Sequence, residues 1–204
     1  MAIRINNGIE IGVNAPPPAP APPLDPGPAP ALALALTSQN LAIGHVVQQK
    51  TEWCWAACTK MVLSNFGQQV RQCEVVESFL GPGCCPAVHD EDTCNSACPI
   101  EDILTVYENF NVTATVVEDS DDIVFNEIRS EIRDRGRPVE VLIEWDEGGA
   151  HVLVIFGWRV KGPSRFLRVH DSLNNGSGEI RITQLRRYED QGDWTLTWIG
   201  FDGM

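Results

Sequence analysis

Residues 48–58 read QQKTEWCWAAC. Cys54 stands where a helix begins: Cys54, Ala57, Cys58, Met61, Val62 and Asn65 recur on one face until Gly67 offers a stop, so a helix is expected over 52–66. A cysteine in a first turn gains from the positive end of the helix dipole, which favours the thiolate and makes it a nucleophile. Gln48 lies six residues ahead, on the loop that enters the helix. From there a carboxamide N–H can reach the oxygen that turns negative when a thiolate attacks a carbonyl. A thiol acyl-transfer site needs two further parts, a histidine and a group that orients it.

Four histidines compete for the first part. His45 precedes the nucleophile loop and His89 lies in a cysteine-rich loop, so neither rides on a rigid element. His151 follows Gly148-Gly149-Ala150 and opens the apolar run HVLVIFGW, a strand that would hold its ring firmly while small neighbours leave room for a substrate. Asp171 ends the next strand, FLRVHD, and antiparallel neighbours joined by a short turn bring their ends within hydrogen-bond reach. A carboxylate there would fix the imidazole tautomer and favour the imidazolium that pairs with a thiolate. Its plainer use would be to cap the turn DSLNNG. Side chains alternate along a strand, so His170 is expected to point away from Asp171.

The pattern Gln, five residues, Cys-Trp-Ala resembles the active-site segment of papain-like cysteine peptidases, and Trp-Cys-Trp-Ala-Ala resembles their bacterial branch, which includes secreted enzymes and effectors. The resemblance covers about 45–201, and His151 with Gly157-Trp158 is similar to the family's histidine strand. It implies Cys54 as nucleophile, His151 as base, Asp171 as orienter and Gln48 in the oxyanion hole, acting on a protein or peptide substrate without cofactor or metal. It leaves hydrolysis and acyl transfer to an amine undivided. A non-catalytic, disulfide-held binding module is the reading from a different class.

Cys54 aside, Cys58, Cys73, Cys84, Cys85, Cys94 and Cys98 form an even set. Three disulfides in an oxidising compartment would use all of them, by one of about 15 connectivities. Cys84-Cys85 just ahead of Cys94 and Cys98 leaves a zinc site as the rival. The bacterial enzymes that the chain resembles carry a Gln-Cys, Cys-Cys, Cys-Asn series, which Gln72-Cys73, Cys84-Cys85 and Cys94-Asn95 match; Cys58 and Cys98 stand outside it.

The remaining chain orders itself as helices first and strands after. A second helix is expected over 72–80, a loop to Cys98, a helix from Pro99 with Ile100, Ile103, Leu104 and Tyr107 inward, a strand over 112–117 and a helix over 121–135. Strands follow at 139–145, 151–160, 166–170, 179–183 and 194–201. This order is α+β, and it is similar to the papain-like arrangement of a helical lobe with the cysteine against an antiparallel sheet lobe with the histidine. Residues 1–40, rich in Pro and Ala, read as a flexible arm or propeptide, leaving 41–204 as the folded domain. A net charge of -13 opposes binding to nucleic acid or to an anionic membrane. The acidic runs Asp119 to Asp122 and Asp146-Glu147 read as solvated faces, and Trp53 and Trp55 as packing residues. A monomer delivered outside the producing cell is expected, although residues 1–13 do not form an ordinary signal peptide.

Overall fold

The computed structural model describes residues 37–85, 91–118, 123–173 and 176–203. The expected arm up to residue 36, His89 and the Asp119 to Asp122 run therefore lie outside the described residues. The chain divides into Met1–Ala35 and Leu36–Met204, and the elements below belong to the second unit. In chain order they are β1 (Ser38–Asn40), α1 (Cys54–Asn65), α2 (Gln72–Leu80), α3 (Glu91–Cys94), α4 (Ile103–Glu108), β2 (Val112–Val117), α5 (Phe125–Ser130), β3 (Val139–Trp145), β4 (Ala150–Lys161), β5 (Ser164–Asp171), β6 (Gly176–Arg181), α6 (Ile182–Leu185), β7 (Arg187–Tyr188) and β8 (Gly192–Gly203).

Nearly every turn of α1 is apolar, and the helix is buried almost all round, from Trp55 to Leu63. It stops where Gly67 takes a positive φ of 76° and Gln68 N–H reaches back to Leu63 O at 3.1 Å. In α2 the Glu74 carboxylate accepts the Arg71 N–H at 2.7 Å, closing the first turn. A 3-10 turn, Ile100–Asp102, precedes α4. It leaves Ile100 38% exposed, so Val106 joins Ile103 and Tyr107 on the inner face where Ile100 was expected. The helix expected over 121–135 begins, within the described residues, at Phe125 and widens into a π turn, Glu131–Arg135, which Gly136 ends. The strand expected over 179–183 gives way at Ile182 to α6.

The strands are antiparallel in the order β2-β8-β3-β4-β5-β6, with β7 added to β8. Partner β3 leaves β4 at Ile155, and β1 takes over at Gly157–Arg159. A Cβ on Gly157 would come within 2.3 Å of Asn40 Oδ1, so that position needs glycine where β1 crosses. Side chains of β4 alternate between two cores. Val152, Val154 and Phe156 face α1, α2 and α4, while Leu153, Ile155 and Trp158 face Phe125, Ile128 and Leu185. A sheet covered on both faces explains why HVLVIFGW is apolar without alternation. Among the described residues no helix is long and apolar enough to cross a membrane.

The expected framework of three disulfides is corrected to two, Cys73–Cys85 and Cys84–Cys94, with Cys58 and Cys98 as thiols. Burial decides the case of Cys58, which is fully enclosed under α1 and donates its S–H to Val152 O at 3.2 Å. The zinc alternative loses its ligands to these bonds, and no cluster that could hold a metal occurs among the described residues. Between the bridges, Glu77 Oε1 accepts the N–H groups of Gly83, Cys84 and Cys85 at 2.9, 2.8 and 2.9 Å. One carboxylate from α2 thus organises the loop that the disulfides close.

Beneath α1 and α4, Glu140 of β3 is wholly buried. Tyr107 donates to its Oε2, whereas Oε1 has no partner, and burial carries the carboxyl from the usual 4.5 up to about 8. The folded form then holds a proton that the unfolded chain releases near 4.5, so stability falls as pH rises from about 4.5 to about 8. Urea unfolding at about pH 5 and about pH 8 is expected to show wild type losing about 3 kcal/mol more over that interval than Glu140→Gln.

Candidate active site

Cys54 is the first residue of α1, half-buried, with the buried indoles of Trp53 and Trp55 on either side. Those indoles pack as expected, and they also hold the disulfide loop. Trp53 Nε1 donates to Cys94 O at 2.6 Å and Trp55 Nε1 to Ser96 O at 3.1 Å. Asn95 completes the contact, accepting Glu52 N–H at 3.0 Å and donating to Thr51 Oγ1 at 2.8 Å. The cysteine-rich loop thereby fixes the segment that leads into Cys54.

His151 enters from the start of β4. Asp171 of β5 pairs with Leu153, two residues along β4, so His151 and Asp171 share a face of the sheet. The ring is 2% exposed, its Nε2 lies 2.7 Å from Asp171 Oδ1, and the Cys54 thiol is near enough to act on its titration. With Nε2 taken by the carboxylate, Nδ1 is the nitrogen left to face the sulfur. Trp145, at the end of β3, stacks on the imidazole with centroids 6.1 Å apart and planes 15° from parallel. A Cβ on Gly192 would reach Trp145 Cε3 at 2.6 Å, so glycine there admits the indole.

Burial alone would push the imidazole down, but the bond to Asp171 and the nearby Cys54 outweigh it and carry His151 up to about 9. Burial would push Asp171 up, yet the bond to His151, its charge, the Leu173 N–H at 2.9 Å and the Tyr188 hydroxyl at 2.8 Å hold it at about 2. Sequence reasoning missed Tyr188, whose only signal was an aromatic residue in a polar turn.

The other sequence candidates fall into place as supports. Gln48 is bound to the end of β5: its N–H reaches Ser172 O at 3.0 Å, and its Oε1 accepts Ser172 Oγ at 2.9 Å. Its Nε2 donates to Lys50 O at 2.9 Å and Thr51 O at 2.7 Å, so meeting an oxyanion requires that the amide exchange one of these carbonyls for it. Gln72 of α2 brackets the same loop, donating to Val47 O at 2.7 Å and accepting Gln49 N–H at 3.0 Å. His45 lies within 2.7 Å of Asp171 O. His170 points away from Asp171, between Ile43 O and Ser177 Oγ, and stacks on Phe156. A cleft of ≈ 500 Å³ opens among Gln48, Lys50, Asn95, Ser172 and Leu173.

The raised His151 contributes stability that is complete below about 6.5 and lost as pH rises through about 9; the lowered Asp171 contributes stability lost as pH falls below about 3.8 towards 2. The charged pair thus spans the interval from about 2 to about 9. An NMR titration of the His151 ring is expected to show a midpoint near 9 in the wild type and a midpoint at least about one unit lower in Asp171→Asn.

No curated protein matches the chain in sequence. Among solved structures, a double glycine motif protease from an AMS/PCAT transporter, in complex with the leader peptide, is 17% identical, covering 81% of this chain and 94% of its own, with a TM-score of 0.50. The peptidase domain of Streptococcus ComA, a bi-functional ABC transporter, is 11% identical, covering 78% and 98%, with a TM-score of 0.51. At these identities the likeness is one of fold, and it agrees with the α+β, papain-like arrangement expected from the sequence. The family model described as papain-like cysteine protease AvrRpt2 matches residues 36–187, more than half of the chain. The chain therefore belongs to that family of papain-like cysteine proteases, and is a peptidase.

Proposed function

We propose that this peptidase cuts peptide bonds within protein substrates through Cys54, His151 and Asp171. The observation that carries the reading is one buried imidazole hydrogen-bonded to the carboxylate at the end of β5 and close enough to the thiol at the start of α1 to be raised by it. The proton of Cys54 already rests on the imidazole, so that thiolate and imidazolium form the reactive pair, and the thiolate attacks the carbonyl carbon. Among the first N–H groups of α1, that of Cys54 faces the developing oxyanion together with Gln48, once the Gln48 amide gives up a loop carbonyl. His151 then returns the proton to the leaving amine, and a water that it activates hydrolyses the thioester. Asp171 keeps the ring in register throughout. The cleft beside Ser172 and Leu173 receives substrate chain.

Hydrolysis of an unfolded protein or a peptide library, followed by mass spectrometry, tests this. Cys54→Ala is expected to abolish cleavage, His151→Ala to lower kcat by about 10²–10⁴-fold and Gln48→Ala by about 10²–10³-fold. Undiminished cleavage by Cys54→Ala would overturn the reading, and a product carrying an added amine would reassign the reaction to acyl transfer.

The two disulfides and the family's bacterial branch support delivery outside the producing cell, as an exported protease or effector. Recovery of extracellular protein with Cys73, Cys84, Cys85 and Cys94 oxidised is the expected result. An active form that stays reduced inside the cell would contradict it.

A further inference from the structure

Asp171 is held at both oxygens. Oδ1 accepts from His151 at 2.7 Å and from Leu173 N–H at 2.9 Å, while Oδ2 accepts the Tyr188 hydroxyl at 2.8 Å. A carboxylate fastened at one oxygen can still turn about its Cβ–Cγ bond, which is broad and soft. A second donor on the other oxygen removes that freedom. We propose that Tyr188 is a positioning residue of the site, whose O–H on Oδ2 locks the plane of the Asp171 carboxylate so that Oδ1 stays on His151 Nε2; this rests on the triad reading above.

The surroundings of Tyr188 suit that task. Its strand is only two residues long, yet it is fastened at both residues: Tyr188 pairs with Gly192 of β8, and the Arg187 guanidinium donates two parallel hydrogen bonds to the Asp146 carboxylate, with a further contact to Asp193 at 3.2 Å. Asp146 follows Trp145, the indole stacked on His151, and the Trp145 and Tyr188 rings lie 6.1 Å apart. One surface ion pair therefore seats the aromatic cover of the imidazole and the donor to its orienter together. Tyr188 is 7% exposed, and burial, with the bond to Asp171, pushes its phenol up, so it stays a neutral donor wherever the peptidase works. A water in its place would turn with the carboxylate; a phenol held by a packed ring cannot.

Tyr188→Phe keeps the ring and deletes the donor. The NMR midpoint of His151 reads the coupling without any substrate. If Tyr188 positions Asp171, the carboxylate spends less time on Nε2 in the variant and the midpoint falls from near 9 by about one unit, equivalent to a tenfold loss of preference for the imidazolium. Peptide cleavage should lose kcat about tenfold at unchanged KM. An unchanged midpoint, as a purely packing role gives, or a raised one, as a merely more basic carboxylate gives, would overturn the proposal. Should Tyr188→Phe fail to fold, Arg187→Gln loosens the clamp without touching the buried ring, and a midpoint equal to wild type would count against it in the same way. Failure of the triad itself is distinguishable, because it shows in the wild type as a His151 midpoint near the ordinary imidazole value or as cleavage that survives Cys54→Ala.

Discussion

An imidazole as deeply buried as that of His151 would ordinarily be neutral, because losing water penalises the charged ring. What reverses this is the carboxylate 2.7 Å away. The fold around it can be understood as the means of keeping that pair short and dry. Antiparallel register between β4 and β5 puts the two side chains on one face, Trp145 covers the ring, and Leu173 N–H and Tyr188 occupy two further acceptor positions of the carboxylate. Each of these excludes water, and in a medium of low dielectric the interaction gains strength by that exclusion.

The approach to Cys54 is built by a second set of contacts, added to the tie between Gln48 and the end of β5. A disulfide from Cys84 holds Cys94, whose carbonyl accepts the Trp53 indole N–H next to Cys54. Gln72, beside the Cys73 bridge on α2, ties down Val47 and Gln49. Without these bonds the loop has too few apolar residues to hold a conformation, since Glu77 and the disulfides supply its anchorage where a core would otherwise do so. Reduction of the bridges would thus bear on the entrance to the site before it bore on the sheet.

Much of this was legible in the sequence, and the reasons differ by element. Helix α2 and strand β3 fall where the flanking turn residues place them, and strand β2 where its alternation does, because no distant partner overrides these local signals. Cys54, His151 and Asp171 were singled out by chemistry and by family resemblance, and the structure brings them into contact. What escaped were features that depend on distant partners. Strand β1 has only three residues and exists because β4 extends past β3. Cysteine pairing follows from which thiols the core encloses, which spacing does not encode. Tyr188 gains its place from Asp171, 17 residues earlier, through a strand too short to show alternation.

Cys54 and Cys58 sit one turn apart on the same helix, and the surroundings of two like side chains differ there as much as they can within one turn. Cys58 lies wholly within the core, gives its S–H to a β4 carbonyl, and is pushed well up by burial and then by the carboxylate of Glu140. A thiolate there would have neither water nor cation. Cys54, at the helix start, keeps partial access to solvent and lies beside an imidazole that is itself held charged. The helix dipole acts most strongly on the first turn and fades beyond it. A displacement of four residues along one helix therefore separates a half-buried sulfur beside an imidazole from an enclosed one, and the same sheet strand serves both: β4 offers a backbone carbonyl at Val152 to Cys58 and the His151 ring to Cys54.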